Sequence, residues 1–202
     1  EVLIHAIREG NLQDIRRLGK FIDLNEKLGF DRTYLSEAVK SDNIEVVKAL
    51  IAMKADVNQV TPVSHYTLLM TAVFHNVSLE LFEYLLLKVN NINAEDYFGF
   101  TVLMYAIRKQ KKKYMTRLLR YRAKVDLVTT KGRFALIEAI KCKNRDIYRS
   151  IVDLSRSVNA EDGKARTPLW YLIEHDYTLA EIESFCDKGV NIHYKSKSRK
   201  NV

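Results

Sequence analysis

Apolar residues in this chain come in short bursts at helical spacing, each followed by a polar break and a second burst. Leu35, Ala38 and Val39 fall at i, i+3 and i+4, and Val46, Val47, Leu50 and Ile51 repeat the arrangement a few residues on. That spacing puts each set on one face of an α-helix and leaves the intervening polar residues in water. Comparable pairs run from Leu3 to Glu9 and Leu12 to Leu18, from Thr67 to Val73 and Leu81 to Leu87, and from Leu103 to Lys109 and Tyr114 to Tyr121. Two more run from Leu136 to Cys142 and Ile147 to Leu154, and from Leu169 to His175 and Ala180 to Asp187. The second pair is Leu35 to Ser41 followed by Ile44 to Ala52. The pattern predicts six pairs of short helices and no β-sheet core.

The pairs keep a fixed beat. Thr33, Thr67, Thr101, Phe134 and Thr167 are 34, 34, 33 and 33 residues apart. A Thr in that slot can cap the orphan backbone N–H groups of a helix start. A second landmark closes each unit at Asn25, Asn58, Asn93, Asp126, Asn159 and His193, and a small-residue slot holds Ala6, Ala38, Ala72, Ala106 and Ala139, with Leu172 in the sixth unit. Periods of this length mark a solenoid, in which each unit buries its apolar face only by stacking on its neighbours.

The stretch Asp96-Tyr97-Phe98-Gly99-Phe100-Thr101-Val102-Leu103-Met104-Tyr105-Ala106 and the phrase Thr167-Pro168-Leu169-Trp170 resemble the Asp-x-x-Gly-x-Thr-Pro-Leu-His-x-Ala signature of the ankyrin repeat. The resemblance covers essentially the whole chain. It implies an all-α ankyrin-repeat solenoid of about six stacked helix-turn-helix repeats with hairpin-like loops. The array occupies 1–193, with repeats at 1–27, 28–61, 62–95, 96–128, 129–161 and 162–195. Residues 196–202 begin a seventh hairpin or form a polar tail. The first residues, Glu1-Val2-Leu3-Ile4-His5, already match the middle of a repeat, which reads as a segment of a longer protein.

Family members place Gly in the inter-helix turn and after the outer helix. Here those slots hold Asp42, Asn76, Gln110, Lys143 and Asp176, then Lys54, Val89, Arg122 and Ser155, with Gly189 alone matching. Left-handed backbone costs a residue with a Cβ about 1–2 kcal/mol. The expectation is a divergent array of modest stability whose turns are reshaped in the fourth and fifth repeats. Trp170, in the family's His slot, is expected to be buried near the hairpin base.

Charge changes the picture. Residues 1–100 carry 10 Lys/Arg against 14 Asp/Glu, and residues 101–202 carry 23 against 11. The basic half should attract an acidic partner and the acidic half repel it. No apolar run approaches the ~18 residues of a membrane helix, so no membrane insertion is expected. Cys142 and Cys186 lack metal-ligand spacing and fall in helix slots, which suits thiols in a reducing compartment, the cytoplasm first and the nucleus second. There is no glycine-rich phosphate loop, zinc-protease helix or nucleophile elbow. The expectation is a non-enzymatic protein without cofactor or metal, monomeric as an isolated array.

In arrays of this family the hairpin and the end of the inner helix carry partner contacts. That implies Tyr66, Phe74 and His75 in the third repeat, and Tyr97, Phe98, Phe100, Tyr105, Arg108 and Lys109 in the fourth. Lys131, Arg133 and Lys141 follow in the fifth, and Lys164 and Arg166 in the sixth. Central aromatics followed by basic residues suit a scaffold or adaptor whose concave face grips an acidic, partly apolar segment of another protein, since aromatics and Arg dominate interface energetics. The same rings could instead pack hairpin against hairpin. Arg108-Lys109-Gln110-Lys111-Lys112-Lys113 reads as a solvated turn, with an acidic-surface contact or a localisation signal as the sharper option.

The hairpin around Phe100 also resembles those of oligoadenylate-sensing ankyrin domains, which stack an aromatic on a base. A nucleotide- or RNA-sensing role is therefore the alternative. Finally, Leu50 to Asn58 resembles the Leu-x5-Asp-Val-Asn sequence that an asparaginyl hydroxylase modifies in ankyrin-repeat proteins of animal cells. That marks Asn58 as the modification candidate, against the plainer role of bonding within its own loop.

Overall fold

The structure is a computed structural model that describes residues 1–192. The positions of His193 and of the proposed seventh hairpin or tail, 196–202, lie outside the described residues. Twelve helices appear there in six pairs: α1 Val2–Glu9 with α2 Leu12–Leu18, α3 Tyr34–Lys40 with α4 Ile44–Ala52, and α5 Leu68–His75 with α6 Leu79–Lys88. The series continues with α7 Val102–Arg108 and α8 Lys112–Arg120, α9 Ala135–Lys141 and α10 Arg145–Val152, and α11 Pro168–Glu174 and α12 Leu179–Cys186. The described residues contain no strand beyond an isolated bridge between Leu28 and Arg32.

Local chemistry starts each inner helix. The Thr33, Thr67, Thr101 and Thr167 hydroxyls accept from the backbone N–H of Ser36, Met70, Met104 and Trp170. Phe134 makes no such cap; its ring is fully buried instead. The fifth repeat thus trades a hydrogen bond for apolar burial. Among the outer helices, α8 is the poorest start. Lys111 supplies no cap, and Lys112 and Lys113 lie in its first turn, where the helix dipole disfavours positive charge.

The inner helices pack in series, α1 on α3, then α5, α7, α9 and α11, while α2 packs on α4 and α6 on α8 in the outer row. Close approach is possible because Ala38, Ala72, Ala106 and Ala139 are completely buried. Loops stitch the repeats with a hydrogen-bond ladder. The Asn25 carbonyl oxygen accepts from Asp56 N–H at 2.7 Å, Asn58 from Asn90 at 2.8 Å, Asn93 from Lys124 at 2.8 Å, and Asn159 from Asn191 at 2.8 Å. Asp126 continues it by accepting from Arg156 and Ser157. Asn58, exposed at the surface, is therefore tied to the next repeat as well as to its own loop, where its N–H donates to Asp56.

Two expectations need correction. The inter-helix turns are not reshaped in the fourth and fifth repeats: Gln110 (φ 53°) and Lys143 (φ 54°) are as left-handed as Gly10 (φ 71°) and Asn76 (φ 55°). In the fourth repeat the following N–H closes the turn onto the alanine slot, from Lys111 to Ala106 as from Asn11 to Ala6. After the outer helices, Lys54 (φ 74°) and Arg122 (φ 61°) also keep the left-handed form. After the outer helices the reshaping falls in the third repeat, where Val89 is extended, and, as expected, in the fifth, where Ser155 is not left-handed. Trp170 is 41% exposed, and Ile173 is 63% exposed where its slot-mates Val39, Val73, Ile107 and Ile140 are fully buried. Among the described residues no helix pair follows α11 and α12 to cover them.

Exposed Arg122 and Lys143 hold left-handed backbone that Gly would adopt without strain. Arg122→Gly and Lys143→Gly should each stabilise the protein by about 1 kcal/mol, read as a higher urea midpoint at unchanged slope.

Candidate partner-binding face

Each hairpin places a left-handed residue two positions before the helix cap: Asp31, His65, Gly99, Gly132 and Ala165. Its leading residue holds the loop together. Asp96 accepts from the N–H of Phe98 and Phe100 and, at 2.5 Å, from the Tyr105 hydroxyl. Asp162 accepts from Lys164 and Arg166 N–H, the Arg166 guanidinium and the Tyr171 hydroxyl. Burial opposes the charge of Asp162, but these donors outweigh it and hold its carboxyl well below the usual range. Burial, reinforced by the bond to Asp96, pushes the Tyr105 hydroxyl far up, so that it is a neutral donor. Adjacent hairpins are joined too: Tyr97 N–H donates to Ser64, the Thr129 hydroxyl to Gly99, and Arg133 Nε to Phe98. The fifth and sixth hairpins approach so closely that a Cβ on Gly132 would sit 2.2 Å from the Gly163 nitrogen.

The aromatic residues separate into two groups. Phe100 and Tyr105 are only 5% and 7% exposed, and their ring centroids are 5.1 Å apart. Tyr105 also meets Phe74 at 4.6 Å and Tyr66 at 6.1 Å, making a cluster between the third and fourth repeats in which Tyr66 and Phe74 are half-buried. Phe100 and Tyr105 are therefore packing residues rather than the contact residues expected, because the hairpin folds Phe100 inward and Tyr105 lies on the buried face of α7. Phe100 is closed further by the Arg133 and Arg108 guanidinium groups, 4.0 and 4.5 Å from its centroid. No base could stack on it in this arrangement.

Exposed rings lie at the hairpin tips. Phe30 is 93% exposed, Val63 68%, Tyr97 63% and Phe98 49%. Phe30, in the second hairpin, was not among the expected contacts, which began at the third repeat, although it sits in the same tip row. Lys131 and Lys164 continue that row and are exposed, while Arg133 and Arg166 are half-buried. The row is thus apolar over the second to fourth hairpins and basic over the fifth and sixth.

Below the tips the basic residues converge. Arg108, Arg133, Lys141, Cys142, Phe100 and the buried Glu138 line a 350 Å³ hollow. A smaller one of 120 Å³ adjoins it between Lys131, Arg133, Lys141, Lys164 and Arg166. Burial pushes the Lys141 ammonium below the ordinary lysine range, with Arg166 and Arg133 adding to the effect and Glu138 opposing it. His75 and Lys109 lie exposed at the inner-helix ends of the third and fourth repeats, with the Lys109 ammonium 5.8 Å from the Phe74 ring. The 108–113 run spans the end of α7, the turn and the start of α8, and is exposed except at Lys111, whose ammonium is bound to Asn76 at 2.9 Å. No cluster of His, Cys, Asp or Glu among the described residues could hold a metal ion, and no helix there is long and apolar enough to cross a membrane.

Comparison with known proteins fits this geometry. Sequence models of ankyrin repeats match residues 35–86 (many copies) and 69–162 (three copies). An ankyrin repeat protein of Acanthamoeba polyphaga mimivirus is 24% identical over 118 residues, 55% of this chain and 15% of that protein. One from fowlpox virus is 29% identical over 105 residues, 52% of this chain and 16% of its own length. The chain thus spans a small part of the curated relatives it matches. The crystal structure of the ankyrin repeat domain of Bcl-3, a member of the IκB protein family, superposes with a TM-score of 0.79 over 96% of this chain and 88% of that one, at 21% identity.

The two aromatic groups should respond differently to truncation. Phe100→Ala should cost about 3 kcal/mol or more, as emptied core sites do, whereas Phe98→Ala should change stability by no more than about 0.5 kcal/mol. Urea denaturation monitored by circular dichroism reads both. Because the Asp162 carboxyl is held low in the folded protein, its contribution is complete above the unfolded value near ~3.9 and is lost as pH falls through the folded value. Asp162→Asn should therefore flatten the decline in stability below about pH 4.

Proposed function

The chain belongs to the ankyrin-repeat family, and from that premise we propose that it is a protein-interaction module, a scaffold or adaptor, that holds an acidic, partly apolar segment of another protein. The segment lies along the hairpin tips and the concave face. The observation that carries the reading is the tip row itself, with exposed Phe30, Val63, Tyr97 and Phe98 followed by exposed Lys131 and Lys164. Apolar side chains of the partner meet the rings, and its acidic side chains meet the ammonium and guanidinium groups beyond them. Ring burial supplies affinity, and charge complementarity supplies register and association rate. The concave hollows serve binding rather than turnover, with no cofactor involved. The two unpaired thiols of Cys142 and Cys186 suit a reducing compartment, the cytoplasm or nucleus. Asn58 is kept as a proposed site of asparagine hydroxylation, which would act on an exposed side chain already engaged in the inter-repeat ladder.

A fluorescent peptide alternating Glu with Leu and Phe, compared with a single-stranded oligonucleotide of equal charge, tests the reading. The peptide should bind more tightly, with an affinity that falls as salt rises. Tyr97→Ala and Phe98→Ala should each cost about 2 kcal/mol. Lys131→Glu with Lys164→Glu should slow association and flatten its salt dependence. Arg166 is left intact in that variant, since reversing it would set two carboxylates together at Asp162. Tight oligonucleotide binding with no peptide binding would overturn the proposal in favour of a nucleic-acid partner.

A further inference from the structure

The basic hollow beside Phe100 has a twin. Arg8, Arg32, Glu37, Lys40 and Ser41 line a 350 Å³ hollow in the first two repeats. Arg108, Arg133, Glu138, Lys141 and Cys142 line one of the same volume in the fourth and fifth. Each residue of the second set lies 100 or 101 positions after its counterpart, three repeats along the chain. Both sets surround one buried carboxylate, Glu37 or Glu138, each 3% exposed, with three cations.

The twins differ in how far those cations are committed. In the first, Arg8 Nε and Nη2 donate to one Glu37 oxygen at 3.1 and 2.5 Å, and Lys40 Nζ to the other at 2.8 Å. Burial alone would raise the Glu37 carboxyl, but the bonds from Lys40 and Arg8 hold it below its ordinary value. Both Glu37 oxygens are therefore engaged by its two nearest bases. In the second, Arg108 Nε and Lys141 Nζ stand 3.6 and 3.7 Å from Glu138, outside hydrogen-bond distance. Arg133 is anchored through Nε to the Phe98 carbonyl. Its two terminal nitrogens have no hydrogen-bond partner among the described residues. Both hollows set three cations against one carboxylate, but here none of the three is hydrogen-bonded to it, and the hollow adjoins the smaller one that carries Lys131, Lys164 and Arg166 beside Asp162.

We infer that the hollow formed by Arg108, Arg133 and Lys141 is an oxyanion-binding site that receives one acidic side-chain group of the partner, while its twin around Glu37, where Arg8 and Lys40 are already bonded to the carboxylate, binds none. The site rests on the proposal of a protein segment as partner and names the point where that segment is anchored. Glu138 keeps the Arg108 and Lys141 heads over the hollow without satisfying them, and Phe100 backs the two guanidinium groups from below. An incoming oxyanion takes the hydrogen bonds that Glu138 leaves open, and charge-assisted bonds of this kind are the stronger class. The group is a carboxylate or the phosphate of a modified side chain, which share this chemistry.

The test titrates the intact protein with sodium acetate and, separately, with inorganic phosphate, at constant ionic strength, following the arginine Nε–Hε resonances. Arg108 and Arg133 should shift along saturating curves, and Arg8 and Arg32 should not. The anion with the tighter curve identifies the group as carboxylate or phosphate. Lys141→Gln should weaken binding about tenfold, as loss of a charge-assisted bond does, and Lys40→Gln should leave it unchanged. Lys141→Gln is the informative change because Arg133 also ties two hairpins together. Absence of saturation with both anions, or equal responses in the two hollows, would overturn the inference. Peptide binding that persists while the anion titrations fail would reject this site alone, and the reverse result would reject the peptide partner while keeping the site.

Discussion

No helix pair in this chain contains its own core. The apolar face of each inner helix is completed by the next one, and the row of buried alanines from Ala38 to Ala139 sets how closely they approach. Everything else depends on that stacking. The loop ladder from Asn25 to Asn159 works only when adjacent loops are in register, since each side chain spends its carbonyl oxygen on a backbone N–H of the next repeat. The last described pair shows the same rule in reverse: where no further pair follows among the described residues, Ile173 and Trp170 stand exposed in slots that are otherwise buried.

Stacking also sets the electrostatics. A repeat step brings the end of one inner helix beside the middle of the next, so Arg8 reaches Glu37 and Arg108 faces Glu138. A carboxylate so buried persists as a charge only beside cations. In the first half two cations close on it, and in the second half they stand off. The two hollows carry the same charges, so they differ in how many donors are left open and not in the basic excess after residue 100. The exposed tip rings lie in the neighbouring hairpins, which places apolar and cationic features on one path.

Helix positions were legible because they rest on local rules. Thr caps, apolar spacing at i, i+3 and i+4, and the 33- to 34-residue beat each involve residues close in sequence. The turns were misjudged for the same reason. Residue preference argued for reshaping at Gln110 and Lys143, but both turns keep left-handed backbone despite a strain of about 1–2 kcal/mol, at Gln110 with a closing bond from Lys111 to the alanine slot. Among the candidate contacts, hairpin slot alone could not separate Phe98 from Phe100, two residues apart in one loop. The Asp96 side chain turns that loop so that Phe98 faces water and Phe100 faces the inner helix.

By itself, then, the sequence determined the repeat, the helix pairs, the all-helical class and the division between an acidic and a basic half. These follow from periodicity and composition, which survive without knowledge of any long-range contact. Only the tertiary structure decided which aromatics are exposed, which turns keep left-handed backbone, and that Glu37 is hydrogen-bonded by its cations where Glu138 is not. The physical reason is that exposure and ion pairing depend on distances between residues some thirty positions apart, fixed by how one repeat settles against the next.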